Sequence, residues 1–144
     1  MNDHDEIRNL LGHYCELMDA ADWTGLGKLF EHAELVSEGG AAFATGAEQV
    51  TALYERGTKL YDGSPRTRHV TANSIIEVDG DNATVHSSYV VFQAVEGFPL
   101  QPIITGRYRD VLARDGHWRF ARRMFFIDHV GDLSHHLTYE VPQK

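Results

Sequence analysis

At 144 residues, with 42% hydrophobic and 24% charged side chains, the chain has the make-up of a single globular domain, able to bury a core without disulfides or metals and still house a pocket. Its formal charge of -8 argues against nucleic acid or an anionic membrane as partner, because both demand a basic footprint. A hydrophobic small molecule is the partner expected instead.

From Asp3 to about Ala20, the residues Ile7, Leu10, Leu11, Tyr14, Cys15, Leu17 and Met18 recur at helical spacing, with Asp3, Asp5 and Glu6 at the positive end of the helix dipole. Cys15 has no partner for a disulfide and reads as a buried, inert thiol of a reducing compartment. With an acidic N-terminus and no membrane-length apolar run, the expected location is the cytoplasm. Asp22 is the expected N-cap of a second, short helix burying Leu26, Leu29 and Phe30. Glu34 to Glu38 reads as a brief strand stopped by Gly39-Gly40. Gly46 to about Leu60 reads as a third helix built on Val50, Leu53, Tyr54 and Leu60, ended by Asp62-Gly63-Ser64-Pro65.

Beyond Pro65 the pattern is that of strands. Arg66 to Val78 leads through Asp79-Gly80-Asp81-Asn82 into Ala83 to Val95. Gly97-Phe98-Pro99 makes a looser connection to Pro102–Ala113, and Arg114-Asp115-Gly116 a tight one to His117–His129. The expected arrangement is one domain over 1–144, with a core from about 5 to 129 and a weakly specified tail from about 131 to 144 that frays or covers an edge. Helices first and an antiparallel meander afterwards define an α+β fold, in which the sheet covers its apolar face with the helices and can curl around a cavity.

This order, together with Tyr14, Asp19, Asp22-Trp23, Thr67-Arg68-His69, Ile76-Glu77-Val78-Asp79-Gly80-Asp81, Gly106-Arg107-Tyr108 and Asp115-Gly116-His117-Trp118-Arg119-Phe120, resembles the SnoaL-like branch of the NTF2-like superfamily. The resemblance runs from about Asp5 to His129. It implies a cone, a curved antiparallel sheet wrapped around three N-terminal helices, and a homodimer formed through the sheet's outer face. Asp19 and His69 fall where scytalone dehydratase has an aspartate and a histidine of its site. Tyr14, Asp19 and His69 fall where the bile-acid 7α-dehydratases have a tyrosine, an aspartate and a histidine. Met18 stands where scytalone dehydratase has a tyrosine, and Val91, Phe92 or Gln93 where it has a second histidine. The bile-acid enzymes have an aspartate near that place and an arginine late in the last strand; the aspartate has no counterpart here, and the arginine corresponds to Arg122 or Arg123. The same cone hosts catalysts and non-catalytic binders, so function has to be argued from the site.

His69 is the histidine placed by both strand position and resemblance, and imidazole is the side chain that takes and returns protons near neutral pH. Strict alternation puts it on one face with Thr71, Asn73 and Ile75, opposite Val70, Ala72, Ile76 and Val78, which by itself tolerates a solvent-facing ring. Asp19 either holds the ring in one tautomer or acts as a base itself. Tyr14 lies about 140° around the helix from Asp19; both can edge a wide pocket, the phenol donating to a carbonyl or enolate oxygen, or Tyr14 can be plain core. Met18, Tyr54, Asn73, Ser88, Tyr89, Arg107 and Arg123 are the further lining candidates. Adjacent Arg122 and Arg123 point to opposite faces unless a bulge intervenes, and an inward one needs a carboxylate, from Asp19 or a substrate.

Asp128-His129 and His135-His136 lack a defensible metal spacing, the latter reading as polar tail, and no nucleotide-binding or serine-hydrolase motif is present. No metal and no cofactor is therefore expected. The reading that follows is a cofactor-free lyase (dehydratase) or isomerase acting by His/Asp acid–base chemistry on a polyketide- or steroid-like molecule. Its alternative is a non-catalytic ligand-binding or accessory module.

Overall fold

The computed structural model describes residues 1–142, so the last two positions of the expected tail, Gln143 and Lys144, lie outside the described residues. Helix α1 (Asp3–Asp19) begins at Asn2, whose side chain accepts the Asp5 N–H at 2.9 Å. Ile7, Leu11, Tyr14 and Met18 recur at helical period and form its buried stripe. The acids of its first turn do more than suit the dipole. Asp3 accepts from Arg114 at 2.7 Å and from the Trp118 indole at 3.1 Å, and Glu6 accepts the Trp118 backbone N–H at 2.7 Å. One end of α1 is thereby pinned to the sheet.

Helix α2 (Trp23–Leu29) starts at Asp22, whose carboxylate accepts the Gly25 N–H at 2.9 Å, as expected of an N-cap. Strand β1 (Glu34–Ser37) is followed by β2 (Ala42–Thr45), which the sequence pattern did not announce. Gly40, at φ +88°, turns the chain straight back, so the glycines form a hairpin instead of ending the strand. Helix α3 (Gly46–Gly57) packs on α2 and stops short of the expected Leu60. Thr58 bridges to Leu137 of the tail, which draws the chain into extended pairing and leaves Leu60 exposed.

The long strands are β3 (Thr67–Asp79), β4 (Asn82–Val95), β5 (Phe98–Asp115) and β6 (His117–Val130), in the order β2-β1-β6-β5-β4-β3. The β4–β5 connection is tighter than expected, with Val95 paired directly to Phe98 and Gly97 at φ +79°. The sheet is not wholly antiparallel, because β1 runs parallel to β6 with Leu35 opposite Arg123. It curves, unclosed, around the helices, an NTF2-like α+β architecture.

Two bulges decide which side chains look inward. In β3 the register shifts between Ala72 and Ile75, with Asn73 at φ +55°. Thr67, His69 and Thr71 face the helices before it and Ser74, Ile76 and Val78 after it, while Val70 and Ile75 are exposed. In β6 the partners of Val111 and Leu112 are Arg122 and Phe120, so Ala121 is the extra residue and the inward set changes from Trp118 and Phe120 to Arg123.

Gly106 on β5 sits where Tyr89 of β4 crosses to donate its hydroxyl to the Phe126 carbonyl at 3.1 Å. A Cβ there would collide with that carbonyl oxygen and lie 2.5 Å from the Tyr89 hydroxyl. Gly106→Ala is expected to destabilise the fold by about 1–3 kcal/mol, read as a lower urea midpoint.

Candidate functional site

The last residue of α1 is an acid at the helix's negative end, which its own helix does not favour; β3 supplies the reason. Asp19 Oδ1 lies 2.6 Å from His69 Nδ1 and accepts the Thr67 hydroxyl at 2.9 Å. Its Oδ2 accepts the His69 backbone N–H at 2.8 Å. With the carboxylate accepting from every side, Nδ1 carries the ring proton. Nε2 has no hydrogen-bond partner among the described residues, and the ring, in a residue 7% exposed, lines a cavity of about 740 Å³.

Tyr14, one turn and a half earlier on α1, lines the same cavity, its ring edge-on to His69 with centroids 6.2 Å apart. Its hydroxyl is 3.3 Å from that of Tyr54 on α3, which stacks on Trp23. Burial pushes both phenols well above their ordinary pKa, so each remains a proton-bearing hydrogen-bond donor. Met18 and Tyr89 complete the expected residues that reach the cavity.

Three expected lining residues lie elsewhere. Asn73 sits at the β3 bulge, beside a separate small pocket with Arg8 and Ser74. Ser88 is on the opposite face of β4 from its inward neighbours Ser87 and Tyr89, a consequence of strand alternation. Arg107 also faces away, clasping Asp128 through two hydrogen bonds of 2.9 Å over the Phe126 ring.

Arg123, and not Arg122, points inward, but it stands behind the cavity wall. It is 0% exposed, and its expected carboxylate is neither Asp19 nor a substrate but Asp110 of β5, bound at 2.7 and 3.0 Å. Its guanidinium lies 3.7 Å from the Tyr108 ring centroid and 4.5 Å from that of Tyr14. Burial drives the Asp110 carboxyl upward and Arg123 draws it back; the bidentate geometry is that of an ion pair.

The cavity's other walls come from residues to which sequence reasoning gave no site role. Tyr108 and Phe125 line it from β5 and β6, and Phe43 from the unannounced β2. The tail, expected to fray or to cover an edge, is held in place over its described residues. Gln93 and Tyr61 donate to the His135 carbonyl at 3.0 and 2.6 Å, Lys59 N–H to the His136 carbonyl at 2.8 Å, and Thr138 N–H to the Gly57 carbonyl at 3.0 Å. So strapped, the tail adds Leu133, His136, Leu137 and Tyr139 to the cavity wall. The spacing of Leu133, His136 and Leu137, one face of a helical turn, is the signal that was present in the sequence. Burial, and then the neighbouring His69, lower the His136 pKa to about 4.

A cone of sheet and helices around an apolar cavity, with His69 in its wall backed by the carboxylate of Asp19, defines the class. The chain belongs to the SnoaL-like domain family, whose profile matches residues 1–124. Among solved structures it is similar to a Mycobacterium tuberculosis protein of unknown function, at 28% identity and a TM-score of 0.72 over 87% of this chain and 71% of that one. It is similar to an NTF2-like protein with a cystatin-like fold from Novosphingobium aromaticivorans, at 27% identity and a TM-score of 0.72 over 87% of this chain and 81% of that one. A putative scytalone dehydratase from the same organism shares the fold, at 22% identity and a TM-score of 0.72 over 98% of this chain and 90% of that one. No curated protein matches the sequence. No helix among the described residues is long and apolar enough to cross a membrane.

Arg123→Met is expected to cost about 3–5 kcal/mol by leaving Asp110 buried without its partner, whereas the double variant with Asp110→Leu recovers most of that loss in urea titrations. For His136, which faces His69 and Asp19, the unfolded chain takes up a proton near the ordinary 6.5 and the folded protein only near 4. Its contribution to stability is therefore complete above 6.5 and is lost as the pH falls to 4, by about 3 kcal/mol at most. Denaturation of wild type and His136→Gln across that window checks this, the variant showing the flatter dependence.

Proposed function

We propose that this protein is a cofactor-free lyase, a dehydratase, or an isomerase that moves a proton on a hydrophobic, oxygenated ring system of polyketide or steroid type. The observation that carries the reading is the 2.6 Å contact between Asp19 and His69 Nδ1, which presents the opposite ring nitrogen to an apolar cavity of about 740 Å³. In elimination, Nε2 takes a proton from the carbon beside a carbonyl, and the electron pair passes to the carbonyl oxygen as an enolate. Tyr14 donates to that oxygen. As the enolate collapses, the β-hydroxyl departs with the proton that His69 returns to it, giving an enone and water. In isomerisation the same proton goes back to a different carbon. Asp19 holds the ring's tautomer and steadies the imidazolium between the two transfers, and the low-dielectric walls strengthen each polar contact.

A second reading, a non-catalytic binder of small ligands, is favoured by Val91. It faces His69 across the β3–β4 pair and lines the cavity with an apolar side chain where a second catalytic group would have direct access. A thermal-shift panel of sterols, bile acids and aromatic polyketides, followed by mass-spectrometric search for dehydrated or isomerised product, separates the two. Under the enzyme reading at least one stabilising ligand is turned over, and His69→Ala loses about 10³-fold or more of that rate while keeping its fold. Stabilisation without product throughout the panel supports the binder, and a His69→Ala variant of unchanged rate removes His69 as the proton carrier.

A further inference from the structure

The group left over by the mechanism is His136. Its ring lines the cavity beside that of His69, with centroids 6.1 Å apart and planes 62° apart. The residue is 5% exposed, Nδ1 is buried without a partner, and no hydrogen bond reaches either ring nitrogen among the described residues. Its position is nonetheless fixed, because the carbonyls of His135 and His136 are held by Gln93, Tyr61 and Lys59 and its neighbours Leu133 and Leu137 are packed into the same wall.

A buried polar group without a partner costs about 1–3 kcal/mol, which a phenylalanine or leucine in the same wall would avoid. A group held rigidly at that cost, in a cavity sized for a ligand, has the properties of one whose partner is the ligand. The depressed pKa keeps the ring neutral at pH 7, so it carries one N–H, a weakly acidic donor suited to a carbonyl or enolate oxygen, and one acceptor nitrogen, neither of which a purely hydrocarbon guest would satisfy. Of the nearby polar groups, His69 offers an acceptor, and Tyr14 and Tyr54, with hydroxyls 3.3 Å apart, share one hydrogen bond and leave one hydroxyl proton between them for a ligand.

We propose that His136 is a ligand-contacting residue of this cavity, its imidazole N–H donating to the carbonyl oxygen of a ketone-bearing ligand whose adjacent C–H faces His69. During turnover the same donor, with Tyr14, holds the enolate oxygen. The assignment of the C–H to His69 rests on the proposed acid–base function; the contact between His136 and the ketone does not.

The test compares α-tetralone with tetralin, which has the same carbon skeleton without the carbonyl, by isothermal titration to the full-length protein. Wild type is expected to hold the ketone about 10-fold or more tightly than the hydrocarbon, and His136→Leu to abolish that preference while keeping its affinity for tetralin. His136→Gln, which retains an amide donor, keeps part of it. Because these substitutions alter a packed strap, the side-chain ¹⁵N resonances of His136 in unmutated protein provide a second readout, moving on addition of α-tetralone and not of tetralin. Equal binding of the two probes, binding of neither, an undiminished preference in a folded His136→Leu, or stationary His136 resonances would each overturn the proposal. None of these measurements needs turnover, so a failure of the His69 mechanism is told apart from a failure of this one.

Discussion

The grip of one carboxylate on one strand organises the molecule. Asp19 closes α1 and accepts three hydrogen bonds from Thr67 and His69, two from side chains and one from the backbone. A helix end otherwise ill-suited to negative charge is thereby fastened to the third strand of the chain, while Asp3 and Glu6 fasten the opposite end to Arg114 and Trp118. Held at both ends, α1 presents Tyr14 and Met18 to the space beneath the sheet at a set height. The imidazole is oriented by the same contact that fixes the helix. Chemistry and architecture thus depend on one short pair of residues, and removing the acid would loosen both.

Behind that site stands the Arg123–Asp110 ion pair, fully enclosed and roofed by aromatic rings. An ion pair so deep is weak evidence of stability, since two apolar side chains would fill the space at no greater cost. Its geometric effect is clearer. It ties β5 to β6 immediately beyond the Ala121 bulge, and its guanidinium braces the rings of Tyr14 and Tyr108 on the side away from the cavity. The phenol proposed to face an enolate is therefore held from behind by a guanidinium whose charge Asp110 balances.

The tail supplies one side of the cavity wall, through Leu133, His136, Leu137 and Tyr139. Backbone pairs join Lys59 N–H to His136 and Thr138 N–H to Gly57, and side chains add the rest: Lys59 donates to the Ser134 carbonyl, Tyr61 and Gln93 to that of His135, and Thr138 to that of Arg56. Gln93, a polar side chain buried on β4 and one of the three candidate positions for a second histidine, is spent on holding the strap through Pro65 and His135. The strap in turn carries the chain's second cavity imidazole.

The elements were legible because they are local. Apolar period, the Asp22 cap and Gly-containing turns act over a few residues, and they located α1, α2, the four long strands and the resemblance to the SnoaL-like family. The convergence of Tyr14, Asp19 and His69 was anticipated from resemblance, since spacing on separate elements carries no distance. Ser88 and Arg107 stand among the lining candidates without a face assigned to them, and alternation turns both outward; parity left His69 undecided because the bulge at Asn73 reverses the faces of β3 midway. The sequence by itself determined the order of the three helices and of every strand but β2, the Asp22 cap and the apolar sides these elements must bury. Only the tertiary structure decided that Asp110 neutralises Arg123, that β1 lies parallel to β6, and that the tail folds over the cavity to put His136 beside His69. Each of those depends on contacts between residues far apart in the chain, where no local period or propensity acts.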